Sequence, residues 1–397
     1  MPTWAKFAGA GVGVLALGLF AAWASAPDPT HNPASFENAP LDPAILPLSQ
    51  GVTLARFVGE DGAGATMIVL SSDGESVTGI DLRELGAQNG KDPFTALAEA
   101  DLAPLLAGER DRIPTVTRTM GDLLPSAPAG TRHIGTGTNF PEHAEEANSA
   151  SVFQFPKFGG ASPARTTVRA QPGILLDYEV ELCVRFDRDI ASLADFDAAV
   201  KGFFLCGDFT NRNALVNLAD PDNLDSGRGF SDAKSGPDFF PTGPFLVVPG
   251  DWRAFTQDLR MTTELNGEPR QDARGGEMTL DFRALAEKAL GDMDAPRFVY
   301  GDAMYRLSPG GRIEPSMTLM SGTAEGTIFT PPTRADMIEA VLAYLAGGGP
   351  LGSRDFMTAA RAEFIASELE GGHFLKAGDV VRHGSNHLGD IEVRVID

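Results

Sequence analysis

Two glutamates, Glu179 and Glu181, are separated by one residue in a segment with the alternation of a β-strand. Successive side chains of a strand point to opposite faces, so these two carboxylates share one face. The opposite face is apolar along its whole length: Ile174, Leu176, Tyr178, Val180, Leu182, Val184 and Phe186. The pattern predicts a core-facing side and, behind it, two carboxylates spaced to bind one cation. Taken alone, such a pair is most often a solvated strand face, so the prediction depends on what surrounds it.

A third carboxylate, Asp208, lies in a second apolar run, residues 202–210. This run does not alternate, which is typical of a strand buried on both faces. A buried carboxylate is costly without a partner, so Asp208 needs a cation or hydrogen-bond donors unless it only caps a turn. We predict that Glu179, Glu181 and Asp208 bind one divalent ion, Mg²⁺ or Mn²⁺, with Ca²⁺ also compatible, because hard cations prefer oxygen ligands.

A histidine–glutamate pair could supply a general base. His143 precedes Glu146 by three residues, which brings the two side chains together on a helical turn. The carboxylate could then orient the imidazole and raise its basicity, so that the imidazole takes a proton from water. The same spacing on an ordinary surface helix has no function, so this prediction depends on the neighbouring motifs.

The chain has two cysteines, Cys183 and Cys206, which excludes a disulfide-rich scaffold. If the two strands pair antiparallel with Glu181 opposite Asp208, the two cysteines face each other. They could then form a disulfide in an oxidising compartment. We favour the alternative of two buried thiols, since free cysteine behaves as a small apolar core residue.

The composition restricts the class of function. The chain has 397 residues, 43% of them hydrophobic and 22% charged, as expected for a globular protein with one large and one smaller domain. Its formal net charge of −22 argues against binding to nucleic acid, because that requires a basic surface that displaces counterions.

The N-terminal segment predicts export. Residues 7–26 contain no charged side chain and could cross a bilayer or serve as a secretory signal. Pro27 disfavours cleavage directly after Ala26. We expect a periplasmic location, with residues 1–26 either kept as a membrane anchor or removed as a signal. Residues 27–50 are rich in proline and are predicted to be a linker outside the folded body.

The remaining chain predicts a small N-terminal α/β domain at residues 51–130 and a strand-rich domain at residues 131–397. Expected strands include 52–58, 65–70, 379–382 and 390–395, and expected helices are 93–106, 278–290, 333–345 and 354–369. Because the helices do not alternate regularly with the strands, we predict an α+β fold, mostly β, organised as a mixed β-sandwich or β-roll.

From about residue 133 to the end, the chain resembles the catalytic domain of the fumarylacetoacetate hydrolase (fumarylacetoacetase) family. Several short motifs, each weak alone, occur in the family's order. They are Asn139-Phe140 with His143 and Glu146; Glu179 and Glu181; Asp208 with Thr210 and Arg212; Lys234 followed by Pro241-Thr242-Gly243-Pro244; Asn266-Gly267-Glu268 with Gln271; Gly322-Thr323 with Gly326; and Leu375 to Val380 with Leu388-Gly389. Residues 51–130 also resemble the small N-terminal domain of many relatives.

The resemblance implies a reaction: metal-dependent hydrolysis of a C–C bond in a diketo acid such as an acylpyruvate or fumarylacetoacetate, by a homodimeric enzyme. It assigns water activation to His143 with Glu146. It also assigns stabilisation of the enolate to the metal, Lys234 and Arg212, and substrate binding to Thr323. Three of these residues have a simpler interpretation: Lys234 as an ordinary loop lysine, Arg212 as an arginine that only forms ion pairs, and Thr323 as a turn residue.

Other functions are also compatible with these residues. The same metal site on the same fold could decarboxylate, isomerise, hydrate or dehydrate a 2-oxo acid. A third hypothesis is an exported binding protein without catalytic activity. The chain differs from the family pattern at a position that affects the substrate. Classical members usually have glutamine three residues after the arginine that corresponds to Arg212, where this chain has Leu215.

Overall fold

The computed structural model describes residues 29–88, 90, 92–147, 149 and 151–397. The signal or anchor predicted for residues 1–26 lies outside the described residues. Among the helices that are described, none combines the length and the apolar composition needed to cross a bilayer.

Strands make up most of the regular structure. They are β1 (Gly51–Val58), β2 (Gly64–Ser72), β3 (Ser76–Asp81), β4 (Val116–Thr119), β5 (Leu123–Leu124), β6 (Arg132–Gly137), β7 (Phe153–Phe158), β8 (Arg165–Arg169), β9 (Leu176–Asp177), β10 (Val180–Phe186), β11 (Lys201–Gly207), β12 (Thr210–Asn211), β13 (Phe245–Pro249), β14 (Arg260–Leu265), β15 (Glu268–Arg274), β16 (Phe298–Tyr300), β17 (Ala303–Tyr305), β18 (Leu319–Thr323), β19 (Val380–Ser385) and β20 (Asp390–Ile396).

The α-helices are fewer and mostly short. They are α1 (Pro93–Glu99), α2 (Ala103–Leu106), α3 (Pro141–Glu146), α4 (Leu193–Ala198), α5 (Arg212–Leu218), α6 (Phe230–Lys234), α7 (Trp252–Asp258), α8 (Phe282–Gly291), α9 (Arg334–Ala346) and α10 (Phe356–Gly371). The expected helix at 93–106 is therefore divided in two, and the one expected at 278–290 begins later, where Asp281 accepts a hydrogen bond from Ala284 N.

Two sheets enclose the main core. The larger has the order β4-β3-β2-β1-β13-β11-β10-β18-β6-β7, with β5 beside β1, and the smaller has the order β15-β14-β19-β20-β8. Apolar side chains of β10, such as Val180 and Leu182, share one buried cluster with Val381 of β19 and Ile391 of β20. The predicted α+β, mostly β fold is confirmed.

The strands of residues 51–130 continue the larger sheet. β1 pairs antiparallel with β13, from Gly51 opposite Pro249 to Ala55 opposite Phe245. A second buried cluster contains Leu54 of β1 together with Cys183 of β10 and Cys206 of β11. The domain boundary at residue 131 stays a prediction, but the two parts share backbone hydrogen bonds and a core.

The segment expected to be an external linker packs on the folded body. Asn32 donates hydrogen bonds to the carbonyl oxygens of Thr327 and Phe329, at 3.2 and 2.6 Å. Leu46 is buried in the main core. The prediction for residues 27–50 is therefore wrong for the described part, because proline stiffens a segment without deciding what it packs against.

Strands β10 and β11 pair antiparallel, but in a register two residues from the predicted one. Glu181 lies opposite Cys206, and Asp208 follows the end of β11. Cys183 and Cys206 are therefore diagonal neighbours on one face of the sheet, and they form a disulfide with a Cα–Cα distance of 6.0 Å. The favoured prediction of two free thiols is wrong, since diagonal pairs on one face also come within bonding reach.

Removal of this disulfide should destabilise the protein by about 3 kcal/mol, because it releases a loop of 23 residues in the unfolded chain. We expect the double variant Cys183→Ser and Cys206→Ser to unfold at lower urea concentration than the wild type. Wild-type protein kept in reducing agent serves as the matched control and should behave like the variant. Two titratable thiols in unfolded, unreduced wild-type protein would contradict the disulfide.

Candidate active site

The three carboxylates predicted to bind a metal converge in the structure. Glu179 lies between β9 and β10, Glu181 is in β10, and Asp208 directly follows β11. One carboxylate oxygen from each lies within 4.8 Å of the other two, and all three side chains are buried. The register explains the convergence, since Asp208 N donates a hydrogen bond to the Glu179 carbonyl oxygen at 2.9 Å.

Two buried lysines contact this group. Lys157 Nζ lies 2.6 Å from Asp208 Oδ1. Lys234 Nζ lies 3.0 Å from Asp208 Oδ2 and also forms a short ion pair with Glu179. Burial alone lowers the pKa of a lysine. It does so for Lys157, whereas the nearby carboxylates of Asp208 and Glu179 overcome the burial of Lys234 and raise its pKa.

Arg212 links the group to a further carboxylate, Asp177. Its Nε donates to Asp177 Oδ2 at 2.8 Å, and its terminal nitrogen donates to Glu179 Oε1 at 2.9 Å. Asp177 also accepts hydrogen bonds from the backbone of Ile328 and Phe329, at 3.0 Å each. The guanidinium is therefore held in place on both sides, with one edge at the carboxylate cluster.

Glu181 differs electrostatically from Glu179. Burial raises the pKa of Glu181 well above its ordinary value, and the negative charge of Asp208 raises it further. Burial also opposes ionisation of Glu179, but Lys234 and Arg212 outweigh it and lower the pKa of that carboxyl. The pKa values of the two glutamates are therefore shifted in opposite directions, because Lys234 and Arg212 form ion pairs with Glu179, whereas burial and the charge of Asp208 dominate at Glu181.

The residues present fit a divalent cation. Glu181 Oε2 accepts a hydrogen bond from Gly322 N at 2.9 Å, but its buried Oε1 accepts none from the described part of the chain. The cluster also has more carboxylates than cations, namely Asp177, Glu179, Glu181 and Asp208 against Lys157, Arg212 and Lys234. A hard cation would satisfy the unpaired buried oxygen and would balance the fourth carboxylate when it ionises, and Glu179, Glu181 and Asp208 would hold that cation.

The predicted histidine–glutamate pair forms on α3. His143 Nδ1 lies 2.9 Å from Glu146 Oε2, and Glu146 Oε1 accepts a hydrogen bond from Gly326 N at 3.1 Å. Glu146 is thereby fixed between the helix and the turn after β18. This arrangement leaves Nε2 as the imidazole nitrogen that can exchange a proton with a bound molecule.

Asn139, from the same motif, holds α3 in position. Its side-chain nitrogen donates to the carbonyl oxygens of Leu280 and Ser321, at 3.1 and 2.9 Å, and its side-chain oxygen accepts from Leu280 N at 2.8 Å. These bonds connect the residue before the helix to β18 and to the segment before α8. Asn139 is therefore a positioning residue for His143.

Thr323 lies beside Glu181, but its hydroxyl is already engaged. It donates to the Val180 carbonyl oxygen at 2.9 Å and accepts from Gln271 Nε2 at 2.9 Å. The residue is buried, and it is not among those that line the adjoining cavity. Its predicted role in substrate binding stays a prediction, and the observed contacts are structural.

A cavity of about 390 Å³ opens directly onto the site. Its polar wall contains His143, Glu146, Glu179, Arg212 and Lys234. The general base and three of the charged groups thus reach the same space. A small molecule in this cavity could contact the imidazole together with the charged side chains of Glu179, Arg212 and Lys234. An apolar cleft with a few polar groups is the usual form of a site for a small molecule.

Two members of the cluster were not assigned from the sequence. Asp177 has the same strand parity as Glu179 and Glu181, so the alternation that identified the pair also places it on their face. Lys157 stands among aromatic residues in β7, and a lysine in such a run is a signal for a buried ion pair. Its partner, however, is 51 residues away in sequence and cannot be read from spacing.

Comparisons with known proteins agree with this fold. In curated sequences, an uncharacterised protein of Staphylococcus epidermidis is 27% identical over 174 residues, covering 42% of this chain and 54% of that protein. The chain thus matches about half the length of its curated relative.

Among solved structures, the 2-hydroxyhepta-2,4-diene-1,7-dioate isomerase from Mycobacterium marinum is similar, with 16% identity and a TM-score of 0.51. The match covers 87% of this chain and 98% of that one. The 5-carboxymethyl-2-hydroxymuconate delta-isomerase from Mycobacterium smegmatis is also similar, with 16% identity and a TM-score of 0.50, over 87% and 99% of the two chains. At this identity the likeness shows the fold.

The family described as Fumarylacetoacetate (FAA) hydrolase C-terminal matches residues 132–396. This range is more than half of the chain and contains the carboxylate cluster, the histidine–glutamate pair and the charged residues that line the cavity. The chain belongs to the fumarylacetoacetate hydrolase family.

Proposed function

We propose that this protein is a metal-dependent hydrolase that cleaves a C–C bond in a diketo acid of the acylpyruvate or fumarylacetoacetate type. One observation carries the proposal: the pair His143 and Glu146 opens onto the same cavity as Glu179, Arg212 and Lys234. A base for water and a cluster of charges able to stabilise an enolate are thereby brought to one bound molecule.

In the proposed reaction, His143 Nε2 takes a proton from water while Glu146 holds Nδ1. The water oxygen forms a bond to the distal carbonyl carbon, and the adjacent C–C bond breaks. Its electron pair passes to the pyruvate fragment as an enolate, which takes a proton from the imidazolium of His143 and so restores the base. Lys234 and Arg212 stabilise the developing negative charge. A divalent ion held by Glu179, Glu181 and Asp208 would supply Lewis acidity toward the substrate oxygens.

An isomerase is the second candidate, because two proteins of similar fold carry that activity in their names. The same base and charges could move a proton between carbon atoms of a 2-oxo acid without addition of water. The two reactions differ in one respect that can be measured, since only hydrolysis transfers the oxygen of water to the product.

A substrate panel should separate these candidates. We expect acylpyruvates to yield pyruvate and a carboxylic acid in the presence of Mg²⁺ or Mn²⁺, and reaction in H₂¹⁸O to place one ¹⁸O atom in that acid. A coupled lactate dehydrogenase assay measures the pyruvate, and mass spectrometry measures the label. Rearrangement of a 2-hydroxymuconate-type substrate without ¹⁸O uptake would favour the isomerase. Metal binding without turnover of any 2-oxo acid would favour a binding protein.

We further propose that the protein is exported. The disulfide between Cys183 and Cys206 supports this location, because disulfides persist in oxidising compartments and are rare in the cytosol. The uncharged stretch at residues 7–26 gives the same indication from the sequence. Fractionation of cells that express the full chain, followed by immunoblotting, would test it.

A further inference from the structure

The cavity extends well beyond the charged groups, and this extension is apolar. Aromatic side chains of β7 and α6 form one wall, where Phe153 and Phe155 pack against Phe230 with ring centroids 4.5 and 5.4 Å away. Helix α5 contributes Leu215 and Val216. We call this extension the apolar chamber. Its further lining includes Phe329 and apolar residues of α9 and α10.

The helices α9 and α10 form another wall of the chamber. On α10, residues Phe356, Ala360 and Phe364 are spaced by four, so they share one face of the helix and all three line the chamber. On α9, Met337 and Ala340 are spaced by three and line it as well. The two helices thus present an apolar surface with small residues at its middle, which leaves space between the larger side chains.

One ring connects the chamber to the charged site. The Arg212 guanidinium lies 5.3 Å from the centroid of the Phe329 ring, and that ring lies 6.0 Å from the ring of Phe364. The path from the carboxylate cluster to α10 is therefore lined continuously. A molecule held by its charged end at Arg212 and Lys234 would extend along Phe329 into the chamber.

The chamber is poorly suited to bind a second charged group of the substrate. Apart from the groups at the catalytic end, its charged lining residues are Asp336 and Arg361, which have opposite signs. The Arg361 guanidinium donates a hydrogen bond to the Asn217 carbonyl oxygen at 3.1 Å. A distal carboxylate, as in fumarylpyruvate, would thus meet no excess of positive charge, whereas an alkyl or aryl group would be removed from water.

We propose that the substrate is an acylpyruvate whose acyl group is a medium or long alkyl chain, bound in the apolar chamber. This inference rests on the proposed function and narrows it. Moving one methylene group from water to an apolar site contributes about fourfold in affinity. The apolar lining should therefore give longer acyl groups a much higher affinity than the acetyl group.

A chain-length series tests the proposal. We expect kcat/KM to rise at least about 10²-fold from acetylpyruvate to octanoylpyruvate, with fumarylpyruvate well below octanoylpyruvate. Ala360→Trp should fill the chamber and lower the ratio of kcat/KM for octanoylpyruvate over acetylpyruvate at least about tenfold. Ala366→Trp, on an exposed position of the same helix, should leave that ratio unchanged. Leu215→Gln provides a smaller change on α5 and should lower the same ratio.

A flat series, or a maximum at acetylpyruvate or fumarylpyruvate, would overturn the assignment of the chamber and leave the hydrolase proposal standing. If no acylpyruvate is hydrolysed, the hydrolase proposal fails instead, and binding then tests the chamber. In that case 2-oxodecanoate should displace an apolar fluorescent probe far better than pyruvate does, and Ala360→Trp should remove the difference. Equal displacement by the two acids would contradict the chamber.

Discussion

Replacing His143 with alanine should lower the turnover of an acylpyruvate about 10²-fold or more, because the variant loses the group that takes a proton from water. Affinity for Mn²⁺ should stay close to that of the wild type, since His143 is not one of the clustered carboxylates. Steady-state kinetics and calorimetric titration with Mn²⁺ measure the two quantities independently. The combination distinguishes loss of a base from loss of the metal site.

Two further variants sharpen this test. Glu146→Gln removes the carboxylate that contacts His143 Nδ1 and should lower kcat while changing KM little. Glu145→Gln, at an exposed position on the same helix, removes the same charge without that contact and should act like the wild type. Unchanged turnover in His143→Ala would show that another group activates the water.

Replacing Glu181 with glutamine should abolish binding of Mn²⁺. The amide offers one neutral oxygen in place of the carboxylate whose Oε1 accepts no hydrogen bond from the described residues. Wild-type protein with Mn²⁺ at about 100 times its dissociation constant should gain about 3 kcal/mol of stability by mass action, and the variant should gain none. Thermal unfolding with and without Mn²⁺ measures the difference, with Glu145→Gln as the matched control.

The same substitution has a second expected effect, on the metal-free protein. The pKa of Glu181 is raised above its ordinary value in the fold, chiefly by burial. Its contribution to stability is therefore present at low pH and is lost as pH rises through the raised pKa. Glu181→Gln does not titrate, so its stability relative to metal-free wild type should increase with pH over that range. A decrease would contradict the pKa assignment.

Proton release should accompany metal binding for the same reason. A carboxylate must be ionised before it can bind a cation, and metal-free Glu181 retains its proton to a higher pH than an ordinary glutamate. Apparent affinity for Mn²⁺ should thus fall as pH is lowered. Titration in two buffers with different heats of ionisation would measure the protons released.

Much of the fold and site could be predicted because it depends on local patterns. Strand parity placed Glu179 and Glu181 together, and helical spacing placed His143 beside Glu146. Helix α9 begins where expected because Thr333 forms a capping box with Asp336. In each case the information lies within a few residues of sequence.

The rest depends on contacts between distant segments. The pairing of Lys157 with Asp208 and the burial of Asn32 against Thr327 join residues far apart in the chain. The register of β10 and β11 was predicted two residues away from the one observed, which changed which residue faces Glu181. The preference for free thiols was wrong for another reason, because it relied on the usual behaviour of buried cysteine and not on the position of these two. Which distant residues come into contact depends on the packing of the whole sheet, and a local sequence pattern does not contain that information.

We propose that Glu179, Glu181 and Asp208 bind one divalent ion beside the cavity, where Glu179 forms part of the wall. Crystals grown with Mn²⁺ and oxalate, an analogue of a 2-oxo acid, would test this proposal most directly through the anomalous signal of manganese. We predict a single strong peak in contact with oxygens of Glu179, Glu181 and Asp208, with oxalate on its cavity side. A peak elsewhere, or no peak with Lys234 still paired to Glu179 and Asp208, would contradict the claim.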